Sequence, residues 1–468
     1  MAVSEASFIN DELIFGLLEK AKTASREETQ RIIEKAALSS GLTPDEVAVL
    51  LQVDDPVLLD HIYRTASQIK EKIYGKRLVF FAPLYISDYC INNCVYCGYR
   101  RDNKFGRCKL TMEEIKEEVA VLEEMGHKRL ALECGEDPKN CPIDYVTDAL
   151  DTIYSVKEKN GSIRRVNVNI AATTVENYRR LKEAKIGTYI LFQETYHRTT
   201  YAKMHPSGPK RDYDWHTCAF DRAMEGGIDD VGSGVLFGLY DYKYEVLALL
   251  LHALHLEEVF GVGPHTISVP RMRPAHGVTL EDFPHLVSDE DFKKIIAIFR
   301  LAVPYTGIIL STREGAQFRD ELISVGISQL SAGSCTGVGG YCREKNGTNK
   351  DEQAPQFAVD DHRSLDEIVR SVCKSGYIPS FCTACYRSGR TGDRFMALAK
   401  SGQIQNVCQP NAILTFKEFL LDYATPETRE IGEDTISKHL KLVGKRSVKN
   451  KAAQRLEQIS LGTRDFYF

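Results

Sequence analysis

The feature that most constrains this chain is a regular alternation, from about Lys76 to Gly340, of short β-rich runs and amphipathic segments of helical length. The runs are nearly continuous in Val, Ile and Leu, as expected of strands covered on both faces. Helices between successive strands require parallel pairing and right-handed crossovers, which favours an α/β fold, a closed (β/α)8 barrel of the TIM type. The eight predicted strands are 78–86, 129–134, 165–171, 187–195, 230–239, 265–272, 305–313 and 327–332.

Segments of different character flank the predicted barrel. The first 75 residues have helical periodicity, with a helix start at Thr43-Pro44-Asp45-Glu46, and are expected to cover the outside or bottom of the barrel. After Gly340 the composition turns polar, which predicts a linker or long loop before a cysteine-bearing segment. We therefore predict an N-terminal helical extension (1–75), a barrel (76–340) and a mostly helical C-terminal domain (341–468).

Charge and cysteine usage narrow the functional classes. The net charge of −5, with Lys and Glu interleaved, gives no basic surface for nucleic acid or an anionic membrane. The most apolar stretch, residues 246–256, contains His252 and His255 and is too short to cross a bilayer, so we expect a buried helix. Thirteen cysteines without a signal-peptide pattern indicate a reducing, cytoplasmic location, where clustered cysteines are more often metal ligands or catalytic groups than disulfides.

The strongest local signal is a cysteine cluster that follows the first predicted strand. Cys90, Cys94 and Cys97 supply three thiolates within eight residues, enough to hold one 4Fe-4S cluster and leave its fourth iron without a protein ligand. That open iron is what a catalytic cluster needs. A structural zinc site is the alternative, although no His follows at a usual spacing to complete it.

Two further stretches support a resemblance to a known family. The cysteine motif, with Tyr96 before its last Cys, resembles that of radical S-adenosylmethionine (SAM) enzymes. Glu133-Cys134-Gly135-Glu136 resembles the family's turn near the methionine amino group, with Cys134 where Gly is usual. The stretch from Gly234 to Gly238 resembles the motif near adenine, followed by Asp241 in place of the usual Glu. The resemblance implies that Tyr96, Glu133, Gly135, Glu136, Gly234 and Gly238 contact SAM.

Over nearly its full length the chain is similar to the tyrosine lyases of that family. The shared stretches are Gln193-Glu194-Thr195-Tyr196-His197 and Ser311-Thr312-Arg313-Glu314. Glu194 is a candidate SAM contact, and Arg313 offers a planar fork for an amino-acid carboxylate beside the Ser311 hydroxyl. The alternative for Arg313 is an ion pair with Glu314 in the barrel mouth.

A second cysteine set lies near the C-terminus. Cys382, Cys385 and Cys408 again supply three thiolates, for which zinc with a His and a redox-active CxxC pair are the alternatives. The resemblance favours a second 4Fe-4S cluster, because this arrangement is typical of the hydrogenase-maturase branch of the lyases and is absent from the thiamine-pathway branch. It also implies that His265 helps to hold an additional iron beside that cluster.

The resemblance implies a complete reaction. SAM at the first cluster would yield a 5′-deoxyadenosyl radical that takes hydrogen from L-tyrosine, whose Cα–Cβ bond breaks to give p-cresol and dehydroglycine. The second cluster would form CO and cyanide and build an Fe(CO)2CN unit for the FeFe-hydrogenase H-cluster. The implied partners are a reductant such as flavodoxin or ferredoxin and other maturation proteins as acceptors. A lyase that supplies dehydroglycine for thiazole synthesis, and a non-catalytic iron-sulfur scaffold, are the alternatives.

Overall fold

The computed structural model describes residues 5–347 and 354–468, and within them the chain forms nine strands. The first eight pair in chain order, every pair is parallel, and the eighth returns to the first to close a barrel. This confirms the predicted (β/α)8 barrel. The strands are β1 (Arg77–Ser87), β2 (Arg129–Cys134), β3 (Arg165–Asn169), β4 (Tyr189–Glu194), β5 (Val231–Val235), β6 (Thr266–Ser268), β7 (Gly307–Leu310), β8 (Gln329–Ser331) and β9 (Ile378–Ser380).

Helices fill the intervals between the strands and both flanks. Two helices begin with full capping boxes, one at Thr43 with Glu46, where the sequence predicts a helix start, and one at Thr111 with Glu114. The helices are α1 (Asp11–Ala21), α2 (Arg26–Ala36), α3 (Pro44–Leu51), α4 (Pro56–Tyr74), α5 (Met112–Glu124), α6 (Ile143–Ser155), α7 (Val175–Glu183), α8 (Arg198–Met204), α9 (Tyr213–Thr217), α10 (Ala219–Glu225), α11 (Tyr242–Phe260), α12 (Asp289–Ala302), α13 (Ala316–Val325), α14 (Gly340–Asn346), α15 (Leu365–Lys374), α16 (Ala384–Arg387), α17 (Gly392–Lys400), α18 (Ile404–Asp422), α19 (Pro426–Lys441) and α20 (Arg446–Ser460).

The N-terminal helices cover the outside of the barrel, as expected. Helix α4 packs against α12 and α13, and α3 packs against α11 and α12. Helix α11, which contains the apolar stretch 246–256, is buried along most of its length. No helix in the described residues is long and apolar enough to span a membrane.

The predicted linker after Gly340 is wrong over its first residues, which form α14. The buried Glu118 carboxylate of α5 explains this, because it accepts hydrogen bonds from the backbone N–H groups of Tyr341 (3.1 Å) and Cys342 (2.7 Å). Free N–H groups at the start of a helix are stabilised by such an acceptor, and this one is more than 200 residues away in sequence. The rest of the predicted linker includes residues 348–353, which lie outside the described residues.

Strand β9 attaches the C-terminal segment to the N-terminal end of the barrel. Val79 of β1 pairs with Gln329 of β8 on one edge and with Ser380 of β9 on the other. One edge of β1 therefore pairs with β9 at its N-terminal end and with β2 further along. Cys382 follows β9 at this end, whereas Cys90 follows the C-terminal end of β1. The two cysteine sets consequently lie at opposite ends of the barrel.

Candidate functional site

A cavity of about 220 Å³ opens at the C-terminal ends of the strands, and we call it the upper cavity. This is the end at which parallel barrels carry their chemistry, because the βα loops converge there. The sequence-predicted residues that line it are Cys90, Cys94, Tyr96, Cys97, Glu133, Gly135, Glu136, Glu194, Ser311 and Arg313. Residues far apart in sequence thus share one cavity.

The loop that carries the first three cysteines is held by a buried asparagine. Asn92 Nδ2 donates a hydrogen bond to Glu136 Oε2 (2.6 Å), and its Oδ1 accepts one from the Lys210 backbone N–H (2.9 Å). Gly208 lies against it with φ +98°, where a Cβ would come within 2.3 Å of Asn92 Oδ1. Only glycine allows this close approach without strain. Asn92 therefore links the cysteine loop to the segments after β2 and β4.

The thiols on this loop fit an iron-sulfur cluster. Burial raises the pKa of Cys90 and Cys94, and that of Cys97 to about 11, because a desolvated thiolate has too little compensating charge around it. Cluster iron supplies that charge and binds thiolates. In the described part of the chain, no three His, Cys, Asp or Glu side chains come together in the arrangement that holds a single metal ion. The prediction of an iron-sulfur cluster here therefore depends on the three thiols as donors and not on a preformed site for a single metal ion.

The turn after β2 is packed tightly against the cysteine loop. A Cβ on Gly135 would lie 2.3 Å from the Tyr89 carbonyl oxygen and 3.0 Å from Cys90 Cβ, so no larger residue fits there. Before it, Glu133 accepts a hydrogen bond from Asn169 Nδ2 (2.6 Å), and burial raises the pKa of its carboxyl well above the ordinary value. The wall of the upper cavity therefore presents the Glu133 carboxyl group two residues before the turn that packs against the cysteine loop.

Glu194 ends β4 in a strained conformation. It is a non-glycine residue with φ +69°, next to a register shift between β4 and β5. Its carboxylate pairs with Lys210 Nζ at 2.8 Å, and the two side chains are only 13% and 17% exposed. Strain of this kind persists where the surrounding structure enforces it, and it is concentrated at functional sites. Lys210 was missed from the sequence, where it reads as part of a turn after Gly208-Pro209.

Arg313 has a guanidinium group without an ion-pair partner. Among the described residues no carboxylate lies within ion-pairing distance of it, and the guanidinium stacks over the Phe357 ring at 3.4 Å from the centroid. Glu314 instead binds Arg271 and Arg273, each at 2.6 Å. The alternative in which Arg313 and Glu314 form an ion pair is therefore wrong. The free guanidinium faces the upper cavity beside Ser311.

The two glycines of the predicted adenine motif lie off the cavity wall. A Cβ on Gly234 would lie 2.6 Å from the Phe192 ring, and one on Gly238, at φ +118°, would lie 2.9 Å from Met272. Both positions are close packing contacts. Leu236, between them, does line the upper cavity.

Two residues that line the upper cavity come from the segment that follows α14. Gln356 and Phe357 line the upper cavity, and the Gln356 backbone joins it to Gly98 and Thr336 through hydrogen bonds of 3.1 and 3.0 Å. Neither residue is predicted from the sequence, because the polar composition around both indicates only a linker. The segment that contains Gln356 and Phe357 therefore contributes to the mouth of the barrel. The domain boundary predicted at residue 341 stays a prediction.

A second cavity, of about 70 Å³, lies at the N-terminal ends of the strands, and we call it the lower cavity. Cys382, Cys385, Cys408 and His265 all line it, so the structure brings together the second predicted set. Arg129 Nη2 donates to the Cys382 carbonyl oxygen at 2.9 Å. These residues come from the barrel and from the C-terminal segment, joined through β9.

The lower cavity has the features of a metal centre. The buried Cys385 and Cys408 thiols share a hydrogen bond, which lowers the pKa of Cys408 and raises that of Cys385. Burial lowers the pKa of His265, which keeps its imidazole neutral, and its Nδ1 lies 3.6 Å from Asp230 Oδ1. A carboxylate behind a neutral imidazole is the usual second partner of a metal-binding histidine. The donor set fits a cluster with three thiolates and a nearby nitrogen ligand.

The two cavities approach each other inside the barrel. Phe81, Ala131 and Ser331 line the upper cavity, and each lies two residues from a residue that lines the lower one. Two residues of strand correspond to about 7 Å. The corresponding lower residues are Val79, Arg129 and Gln329. A thin layer of the barrel interior therefore separates the two sites.

Comparisons with known proteins decide the family. The family model for the radical SAM superfamily matches residues 84–253, and that for the biotin and thiamin synthesis associated domain matches residues 268–378. A solved HydG, a maturase of the FeFe-hydrogenase, is 64% identical, covers 98% of this chain and 100% of its own, and superposes with a TM-score of 0.96. The chain belongs to the radical SAM enzymes of the HydG family.

Other members of the radical SAM superfamily agree. HydG from Carboxydothermus hydrogenoformans is 40% identical, covers 95% of this chain and 97% of its own, and has a TM-score of 0.82. The 2-iminoacetate synthase of Escherichia coli is 31% identical over 75% of this chain and 90% of its own length. Membership of the radical SAM superfamily implies a 4Fe-4S cluster and SAM, and it confirms the family that the sequence motifs predict.

Proposed function

We propose that this radical SAM maturase cleaves L-tyrosine at the upper cavity to p-cresol and dehydroglycine. We further propose that the dehydroglycine is converted at the lower cavity to CO and cyanide, which leave in an Fe(CO)2CN unit for the H-cluster. The observation that carries the proposal is the pairing of two cysteine-lined cavities across one barrel interior. The name of the Escherichia coli relative, 2-iminoacetate synthase, denotes the same C2 imino acid.

The upper cavity has the groups that the first reaction needs. Cys90, Cys94 and Cys97 would hold the cluster which, when reduced, cleaves SAM to methionine and a 5′-deoxyadenosyl radical. Glu133 and the Gly135-Glu136 turn would orient SAM from the β2 side, where the packing against the cysteine loop leaves little freedom. The ion pair between Glu194 and Lys210 holds both charged groups in place on the β4 side of the upper cavity. A closed, desolvated wall shields a radical from water.

Arg313 would hold the tyrosine substrate. Its unpaired guanidinium fits the substrate carboxylate in a bidentate contact, and Ser311 adds a hydroxyl beside it. The stacked Phe357 ring limits the orientations of the guanidinium plane. This arrangement would fix the Cα and Cβ atoms relative to the cysteine loop, as radical abstraction at one position requires.

The lower cavity would receive the small imino acid through the barrel interior. Cys382, Cys385 and Cys408 would hold the second cluster, and His265, oriented by Asp230, would hold the additional iron. Arg129 lies in the same wall and provides positive charge for a carboxylate product of the first step. Short separation between the cavities limits loss of a reactive imine to water.

The proposal includes external partners. Reduction of the first cluster calls for a one-electron donor such as flavodoxin or ferredoxin, and the iron unit calls for another hydrogenase maturation protein as acceptor. HydG relatives are named for hydrogenase maturation, which supports this assignment.

Product analysis tests the proposal. The anaerobically reconstituted enzyme is incubated with SAM, tyrosine and a reductant, and 5′-deoxyadenosine, p-cresol, cyanide and CO are quantified. We expect all four products. Formation of p-cresol without CO would support a dehydroglycine-supplying lyase instead, and absence of 5′-deoxyadenosine would overturn the proposed function altogether.

A further inference from the structure

A glutamine on the segment after α14 presents to the upper cavity an amide group that the proposed mechanism does not use. The Tyr85 hydroxyl donates a hydrogen bond to Gln356 Oε1 at 2.8 Å, and both residues line the upper cavity. Within residues 5–347 and 354–468, no acceptor lies within hydrogen-bonding distance of Gln356 Nε2. One end of the amide is therefore fixed, and the two N–H bonds at its other end are available to a ligand.

The direction of the Tyr85 side chain shows that this amide reaches into the barrel. Side chains of a strand alternate between its two faces, and Phe81, Pro83 and Tyr85, spaced by two residues, all line the upper cavity. Tyr85 also lies beside Glu133 in the parallel pairing of β1 with β2, and Glu133 lines the same cavity. Tyr85 therefore points inwards and is only 4% exposed, so the Gln356 side chain enters the barrel mouth to meet its hydroxyl.

The backbone around Gln356 is fixed to the barrel. Its N–H donates to the Thr336 carbonyl oxygen at 3.0 Å, and its carbonyl oxygen accepts from the Gly98 N–H at 3.1 Å. The Thr336 hydroxyl in turn donates to the Phe357 carbonyl oxygen at 2.9 Å. A Cβ on Gly98 would lie 2.5 Å from the Pro355 carbonyl oxygen, so the two segments are in close contact. The amide is therefore held in place before a ligand binds, which lowers the entropic cost of binding.

Arg313 lies close to this amide. Its guanidinium stacks over the ring of Phe357, the residue that follows Gln356, and all three residues line the upper cavity. Burial raises the pKa of the Tyr85 hydroxyl, and the Arg313 charge opposes this rise, in agreement with a guanidinium near the hydroxyl that holds Gln356. A carboxylate has two oxygens with about four acceptor sites, so it can accept from a guanidinium and an amide at the same time.

We propose that Gln356 is a further substrate-binding residue, whose Nε2 donates a hydrogen bond to the carboxylate of the amino-acid substrate beside Arg313. This role rests on the proposed function, which supplies the amino-acid substrate. Tyr85 is a positioning residue, because its hydroxyl holds Gln356 Oε1 and so turns the N–H groups of the amide, rather than its oxygen, towards the anion. An amide oxygen in the same place would repel the carboxylate.

Binding measurements without turnover test this assignment. Labelled L-tyrosine is equilibrated by dialysis with the reconstituted holoenzyme and SAM, without reductant, and its Kd is measured. Gln356→Leu removes the donor, and we expect Kd to rise about 10-fold, the loss typical of a hydrogen bond to a charged group. Gln356→Glu keeps an acceptor for the Tyr85 hydroxyl, so it should fold, and its negative charge should weaken binding further. Gln317→Glu adds the same charge at an exposed position of α13 and should bind tyrosine like the wild type.

Two further comparisons separate the carboxylate contact from other effects. Tyramine has the phenol and the amine of tyrosine without the carboxylate, so Gln356→Leu should leave its Kd unchanged. Tyr85→Phe should raise the Kd of tyrosine in the wild-type background and have no further effect in Gln356→Leu, because the hydroxyl acts through this amide. Additive effects of the two substitutions would overturn the positioning role of Tyr85.

The outcomes for Gln356 and for the proposed function are distinct. An unchanged Kd for tyrosine in Gln356→Leu and Gln356→Glu, or an equal loss of tyramine binding, would overturn the assignment of Gln356 whatever the products are. Absence of p-cresol after addition of reductant to the wild type would overturn the proposed function. A selective loss of tyrosine binding in the variants would support the carboxylate contact in either case.

Discussion

Replacing Arg313 by Gln tests the proposed substrate site. The guanidinium has no carboxylate partner among the described residues, so its removal leaves no buried anion unpaired. The loss of its contact with the Phe357 ring, in a partly desolvated wall, costs about 1–2 kcal/mol. The fold should therefore tolerate the substitution, and the effect should appear in substrate binding.

The magnitude follows from the contact that is lost. A hydrogen bond to a charged group contributes about 1.5–3 kcal/mol, which corresponds to a roughly 10- to 150-fold increase in KM for tyrosine. Arg313→Lys keeps the charge but loses the planar fork, and we expect an intermediate value. Arg273→Gln is the matched control, because it removes a nearby arginine while Glu314 keeps Arg271 as its partner.

The assay follows p-cresol and 5′-deoxyadenosine as a function of tyrosine concentration in the reconstituted enzyme. Arg313→Gln should still cleave SAM, so 5′-deoxyadenosine should form without matching p-cresol at low tyrosine. An unchanged KM for tyrosine in a folded, cluster-loaded Arg313→Gln enzyme would refute the assignment. An equal rise in KM in Arg273→Gln would indicate a general electrostatic effect of the barrel mouth.

Three further substitutions test other parts of the structure. Lys210→Met leaves the Glu194 carboxylate unpaired and should lower the free energy of unfolding by about 3–5 kcal/mol in denaturant titration. The double variant Lys210→Met with Glu194→Gln should recover part of this free energy, because no unpaired carboxylate remains. Equal losses in the single and double variants would contradict the pairing. Gly135→Ala should abolish SAM binding in equilibrium dialysis, because its Cβ would collide with the Tyr89 carbonyl oxygen. Gly444→Ala, which has open space around it, is the control and should bind SAM normally. Burial raises the pKa of Glu245 from 4.5 to about 8, so the protonated carboxyl contributes fully to the free energy of unfolding below pH 4.5, and this contribution is lost as the pH rises to about 8. The difference in free energy of unfolding between Glu245→Gln and the wild type should therefore change between pH 4.5 and 8. A difference that is constant over this range would contradict the raised pKa.

The parts of the fold that the sequence predicts are those with a local physical signature. Buried parallel strands and amphipathic helices have distinct periodicities, so the barrel and its strand order follow from pattern alone. Strand ends do not. The fifth predicted strand reaches residue 239, whereas the continuous ladder ends at Val235 and only an isolated bridge from Phe237 to Arg271 follows. Leu236 and Leu239 are apolar because they are buried in side-chain packing. An apolar run indicates that its residues are buried, but it does not distinguish burial in a sheet from burial in other packing.

The candidate site divides in the same way. The cysteine ligands lie within short segments, so their spacing alone indicates a metal centre. Lys210, Gln356 and Phe357 reach the upper cavity through contacts between distant segments, and their local sequence indicates only turns or a linker. The meeting of His265 with Cys382 depends on β9 pairing with β1, a contact between residues about 300 apart. Such placement is decided by topology, which single-sequence patterns do not encode.

The most direct test of the two-site account is the product balance of an enzyme in which only the lower cavity is altered. Cys382→Ser combined with Cys385→Ser removes two of its thiols and leaves every upper-cavity residue in place. The control is Cys342→Ser, which removes a partly exposed thiol of α14 that lines neither cavity. With tyrosine, SAM and reductant, the account predicts p-cresol and 5′-deoxyadenosine at the rate of this control, and no CO or cyanide. Loss of p-cresol in a folded enzyme that still holds its first cluster, or continued CO formation, would contradict it.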